Sequence, residues 1–264
     1  MSADAANGFP LNPGAPLDPV ELARRDLSKA LPKRFYKEAA VDERDGAFVV
    51  VLDGRKALSP ARAALALPTR AAAEALAAEW AAQGEIIDPA AMPLTRIVNA
   101  ALDGVAVRTE AVRADIVKYA GSDLLCYRAA EPDALVAAQR AAWDPVLAWA
   151  RAAHGIDLKL AEGVVFVAQP DAARAAVAKV VGAVPAPLQL ACLHVMTDLS
   201  GSALLALALA HGRLGVAEAW AAVHVDEDFQ MRIWGLDMQA MERRAARERD
   251  FKAAARLLDL IRAD

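Results

Sequence analysis

The chain has 264 residues, 30 Lys and Arg against 34 Asp and Glu, a net charge of −4, and 56% hydrophobic residues. No stretch concentrates basic residues without interleaved acids, which excludes an electrostatic nucleic-acid footprint. The apolar run at 199–210 falls short of the roughly 20 residues a spanning helix needs, so membrane insertion is excluded as well.

Residues 1–18 hold Pro10, Pro13 and Pro16 among Asn and Gly and predict a disordered arm. Pro19 then opens a short helical pattern through Val20, Leu22, Ala23, Leu27 and Ala30, ended by Pro32. Strand signals start at Arg34: Phe35, Ala39 and Val41 lead to a turn at 43–46, and 48–52 is a β-branched run too short for a helix. Asp53-Gly54 predicts a type I′ hairpin, because both central positions need positive φ. A returning strand is expected at 55–58 and a further one at 64–67. After Pro68, Thr69 is a cap candidate for a helix whose inner face carries Ala73, Leu76, Ala77 and Trp80. Trp80 is accordingly read as structural, covering the sheet.

Beyond Met92 helical patterns recur at 94–103, 107–120, 132–153, 171–181, 187–198, 200–211, 215–224 and 226–261, with strand runs only at 156–160 and 164–167. The 66 Ala residues favour helix, since Ala loses no side-chain entropy on ordering. The expected fold class is α+β: a small antiparallel β N-terminal domain at 19–90, after the 1–18 arm, then an all-helical C-terminal domain at 91–264.

Catalytic signatures are missing: there is no G-x-S-x-G, P-loop, G-x-G-x-x-G, H-E-x-x-H or C-x-x-C. Cys126 and Cys192 stand far apart without further ligands nearby and read as buried thiols of a reducing compartment. His154 and His211 each precede a Gly at a helix end, where a cation suits the dipole. His194, between Leu193 and Val195, reads as a core histidine, and His224 as an ion-pairing one. Ser200-Gly201-Ser202 reads as a cap with close helix packing rather than a nucleophile turn. No metal, cofactor or catalytic residue is assigned. The start Met1-Ser2-Ala3-Asp4 lacks the features of a targeting peptide, so a cytoplasmic, monomeric protein is expected.

The densest polar feature runs from Val225 through Asp226, Glu227, Asp228, Phe229 and Gln230 to Trp234-Gly235. Successive helical residues lie 100° apart, so three consecutive acids cannot share a face. Val225, Phe229 and Ile233 would form a buried stripe, with Asp226, Gln230 and Trp234 in the adjacent row. The acids could serve simply as a helix start that suits the dipole, or as a charged recognition patch beside an exposed Trp. Metal binding is the weaker reading, because no His lies at i+3 or i+4. Downstream, 242–252 alternates in sign as a solvated face does, with Met238, Met241, Ala245, Phe251, Ala255 and Leu258 on its inner side.

Eight segments in this order carry a resemblance: Lys33-Arg34-Phe35-Tyr36-Lys37; Leu52-Asp53-Gly54-Arg55-Lys56; Leu58-Ser59-Pro60-Ala61; and Ala78-Glu79-Trp80 with Gln83. They continue with Met92-Pro93-Leu94-Thr95 and Asn99, and Ser122-Asp123-Leu124-Leu125-Cys126-Tyr127-Arg128. Last come Trp143-Asp144-Pro145 with Trp149, and Glu227-Asp228-Phe229-Gln230 with Trp234-Gly235. Together, over about 33–252, they resemble the assembly chaperones of the mitochondrial and α-proteobacterial F-type ATP synthase that bind its isolated α subunit. The resemblance implies the same two-part fold, no catalysis and no cofactor. It also implies a role in holding the free α subunit and shielding its β-contacting surface from aggregation. It places the functional acid at Glu227, with Asp226, Asp228, Gln230 and Trp234 as the surrounding partner-binding residues. The competing reading is a small-molecule enzyme whose acids at 226–228 and His224 line a cleft.

Overall fold

The computed structural model describes residues 31–163 and 165–262. The arm at 1–18 and the helical pattern at 19–31 lie outside the described residues, apart from the last residue of the latter. The N-terminal part is an antiparallel sheet of β1 (Ala39–Arg44), β2 (Ala47–Leu52), β3 (Arg55–Lys56) and β4 (Ala66–Leu67), with β2 pairing all the others. The register runs from Ala39 opposite Leu52 to Arg44 opposite Ala47. Asp53 and Gly54 both take positive φ, +47° and +77°, as the hairpin requires. Phe35 stands outside the sheet and is exposed. Alternation along β2 sends Val50 and Leu52 inward, where they join Leu65 and Leu67 in one apolar cluster.

Helix α1 (Arg70–Ala81) closes that cluster with Ala72, Ala73, Leu76 and Ala77. Thr69 caps it, its hydroxyl accepting the Ala72 N–H at 3.2 Å and donating to the Leu260 carbonyl at 2.7 Å. Helix α1 is thereby tied to the end of the last described helix.

The remainder is helical, as expected: α2 (Pro93–Ala100), α3 (Thr109–Tyr119), α4 (Asp133–His154), α5 (Asp171–Gly182), α6 (Leu188–Ser200), α7 (Ala203–Ala210), α8 (Val216–Val223), α9 (Val225–Trp234) and α10 (Met238–Leu260). Helix α7 is buried from Ala203 through Leu209, the centre of the bundle. An all-apolar helix can only be stable surrounded, and α4, α6 and α8 pack around it. Ser202 caps it, accepting the Leu205 N–H at 3.0 Å, while Gly201 at φ +65° ends α6, so the Ser-Gly-Ser segment is a cap.

Three expectations need correction. The strand runs expected at 156–160 and 164–167 form no ladder among the described residues, which leave out 164; instead a two-residue strand β6 (Ala161–Glu162) pairs in parallel with β5 (Tyr127–Arg128). Of their apolar residues Ile156 and Leu158 join the helical core, whereas Leu160, Val165 and Phe166 are exposed. The pattern at 226–261 is two helices, because Gly235 at φ +90° and ψ −178° leaves helical space. Finally, Met238 and Ala245 are exposed, and the buried face of α10 is concentrated from Phe251 to Leu258.

Candidate functional site

Helix α9 starts beside His224, and its three acids take three directions. Asp226 Oδ1 accepts from Gln139 Nε2 at 2.6 Å, and the buried Gln139 in turn accepts the Ala129 N–H at 2.8 Å, fastening α9 to α4. Asp228 forms an ion pair with Arg244 of α10. Glu227 lies between them in sequence and its side chain is 59% exposed. Two of the three acids are thus occupied within the fold and one is available.

His224 is 2% exposed, its ring tilted over Trp220 with centroids 4.1 Å apart. Its Nδ1 lies 2.9 Å from the Trp220 carbonyl, which can only accept, so Nδ1 carries the proton. Burial pushes its pKa below the usual imidazole value, and the neutral ring turns Nε2 toward Glu227 at 3.6 Å, too long for a hydrogen bond. The expected ion pair is therefore a contact with a neutral imidazole.

The stripe of Val225, Phe229 and Ile233 is not buried. Val225 and Phe229 are half-buried and Ile233 is 56% exposed, because only the first part of α9 reaches the bundle. Beyond it the chain turns at Gly235, and Asp237 caps α10 by accepting the Gln239 and Ala240 N–H groups at 2.9 and 3.2 Å. This corner leaves Trp234 78%, Leu236 68% and Met238 69% exposed beside Ile233. Gln230, also exposed, precedes Trp234 by four residues and so shares its face. Large contiguous apolar patches are rare on monomers and mark interaction surfaces. The site combines an apolar crest with one available carboxylate, an arrangement suited to recognition.

Other segments of the quoted motifs turn out to be internal scaffolding. Glu79 of α1 caps α2, accepting the Leu94 and Thr95 N–H groups at 2.8 Å and the Thr95 hydroxyl at 2.9 Å. Burial nevertheless raises its pKa. Arg128 pairs with Asp144 at 2.8 Å and lies over the Trp143 ring. Asp123, fully buried, accepts the Ser202 hydroxyl at 2.6 Å and the Leu125 and Leu204 N–H groups at 3.1 Å each. Desolvation still raises its carboxyl to about 6. Sequence reasoning assigned no such role to Glu79 or Asp123; the signal available was a cap-forming Asp ahead of an apolar run.

His154 ends α4 before the left-handed Gly155 and His211 caps the end of α7, both as expected. His154 and His211 lie 5.0 Å apart, centroid to centroid, against Trp149, and desolvation holds the His154 pKa below the usual imidazole value. His194 is not a core residue: 32% exposed, it contacts Asp115 at 2.8 Å. Cys126 and Cys192 are buried free thiols, pushed up to about 12 by desolvation.

The chain is similar to known proteins along most of its length. The family model described as ATP12 chaperone protein matches residues 33–151. Atu1473 from Agrobacterium tumefaciens, a candidate chaperone, is 48% identical in sequence and superposes with a TM-score of 0.83, over 93% of this chain and 92% of that one. Atp12 from Paracoccus denitrificans is 38% identical with a TM-score of 0.80, over 87% of this chain and 98% of its own. A point mutant of the same Paracoccus protein matches equally well, at 38% identity and a TM-score of 0.80 over 87% and 97%.

Proposed function

The chain belongs to the ATP12 chaperone family, and on that footing we propose that it binds the free α subunit of an F-type ATP synthase. In this reading it shields the β-contacting surface of that subunit until the catalytic sector assembles. The observation that supports it is the exposed crest of Ile233, Trp234, Leu236 and Met238 at the end of α9, the helix whose first turn carries the exposed carboxylate of Glu227. A surface that holds an aggregation-prone client must present apolar area to water before the client arrives, and folding gains nothing from that exposure. Gln230 borders the crest, while Asp226 and Asp228 support the site by holding α9 to α4 and α10. The protein would act as a cytoplasmic monomer, without cofactor or chemical step. The enzyme reading of 226–228 and His224 has less support, since the acids diverge and His224 is buried beneath Trp220.

The test is light scattering of isolated α subunit during dilution from denaturant. Wild-type chaperone should suppress aggregation near equimolar ratio, and Glu227→Lys should not, while remaining folded. No suppression by wild type, together with a melting temperature raised several degrees by a small metabolite, would point to the enzyme.

A further inference from the structure

A concave apolar feature, distinct from the crest at the α9–α10 corner, lies where the β2–β3 turn meets the C-terminal end of α1. It is a recess of about 510 Å³ walled by Phe35, Tyr36, Leu52, Leu58 and Trp80. That volume falls within the roughly 300–1,000 Å³ of ligand-holding clefts. Phe35 is 71% and Leu58 44% exposed, so much of the wall is open to water. The aromatic wall is held in place: Phe35 meets Tyr36, and Tyr36 meets Trp80, edge to face at 5.3 and 5.7 Å, and the Tyr36 hydroxyl donates to the Trp80 carbonyl at 2.7 Å. A preformed wall costs little further ordering when something binds.

The charges around the recess are unequal. Both carboxylate oxygens of Asp53 accept the N–H of Lys37, at 3.0 and 3.1 Å, and one also accepts that of Glu38 at 2.9 Å. Those hydrogen bonds hold Asp53 below the usual carboxylate range. Its negative charge is committed to the chain itself. The Arg34 guanidinium is likewise committed, to the carbonyls of Tyr36, Lys37 and Ala81. Lys37 and Glu38, adjacent and exposed, offset one another. Arg55 and Lys56 at the lip are exposed and make no ion pair among the described residues. In addition the Trp80 Nε1–H is buried without an acceptor among the described residues, an uncommon state for an indole.

We propose that this recess is a second client seat, taking an apolar side chain of the client protein whose neighbouring residue is an Asp or Glu. The apolar side chain enters between Phe35 and Leu58, and the carboxylate meets Arg55 and Lys56. The inference rests on the chaperone reading but not on the identity of the client. Two seats of different chemistry, one with a carboxylate on the helix that ends in its crest and one with cations at its lip, would hold an unfolded-prone surface in one orientation and gain by effective concentration.

The experiment uses the full chain and two labelled eight-residue peptides with the same Phe-Leu centre, one flanked by Asp and the other by Lys, read by fluorescence anisotropy. The Asp-flanked peptide should bind about tenfold tighter at low salt, and the preference should shrink as salt is added. Phe35→Ser combined with Leu58→Ser should abolish most of that binding without unfolding the protein, since both side chains are exposed. Arg55→Glu combined with Lys56→Glu should reverse the charge preference. Equal binding of the two peptides, or binding indifferent to these substitutions, overturns the proposal. So does a chain lacking residues 1–30 that binds both peptides more tightly to the same extent, since the recess would then seat the protein's own N-terminal segment. If the peptides discriminate as expected but isolated α subunit is not protected, the client's identity fails and the recess stands.

Discussion

Replacing Trp234 by Ser separates docking from folding. The indole is 78% exposed, so the folded state draws little from it. A Trp side chain buries about 150–250 Å² when covered, and with most of this still open roughly 150 Å² remains for a partner to cover. At ~25 cal/mol per Å² this corresponds to about 4 kcal/mol. Immobilising the side chain costs about 0.5–1.5 kcal/mol, which leaves ~3 kcal/mol. That is the magnitude of a central hot-spot residue, and it corresponds to about a hundredfold in Kd. Trp234→Ser should therefore weaken client binding about a hundredfold in titration calorimetry and leave Tm within a degree or two of wild type. Unchanged affinity at unchanged Tm would place docking elsewhere on the surface. A large fall in Tm would mean that the indole packs against the fold in solution, and the derivation from exposure would fail.

The acids should separate in the same way: Glu227→Lys should lose client protection at unchanged Tm, whereas Asp226→Ala strands the buried Gln139 amide and should cost about 1–3 kcal/mol of stability. Asp228→Ala should loosen α10 through its lost pair with Arg244, seen as faster amide exchange at 238–250. If Glu227→Lys protects normally, the acid role belongs to one of its neighbours or to none. Asp123 supplies a pH signature: burial raises its carboxyl from 3.8 to about 6, so the unfolded chain releases this proton at lower pH than the fold does. Its contribution to stability is therefore lost as pH rises from about 4 to about 6, by ~3 kcal/mol, and is level above that. The wild-type minus Asp123→Asn difference in stability should show this slope, and parallel pH profiles would contradict it. Trp80→Arg places a charge where the indole now meets the Tyr36 ring, and should cost about 3–5 kcal/mol and yield insoluble protein. A soluble, fully folded variant would refute the structural role of Trp80.

What the chain determines by itself is local. The positive-φ hairpin at Asp53-Gly54, the Thr69 cap and the Ser202 cap each depend on a few neighbouring residues, and each stands where the pattern places it. The α+β division follows from the hydrophobic periodicities. Tertiary packing decided everything that depends on which face finds a partner. Val225, Phe229 and Ile233 have the spacing of a buried stripe, yet periodicity shows only which residues share a face, and the bundle covers the first part of that face alone. Asp226, Glu227 and Asp228 are near-equivalent as letters; Gln139 and Arg244, distant in sequence, occupy two and leave the third available. Glu79 and Thr95, or Asp123 and Ser202, likewise meet only once the helices are packed. A hydrogen bond across 79 residues leaves no trace in the spacing of either partner, whereas a burial cost large enough to move a carboxyl to about 6 exists only in the closed fold.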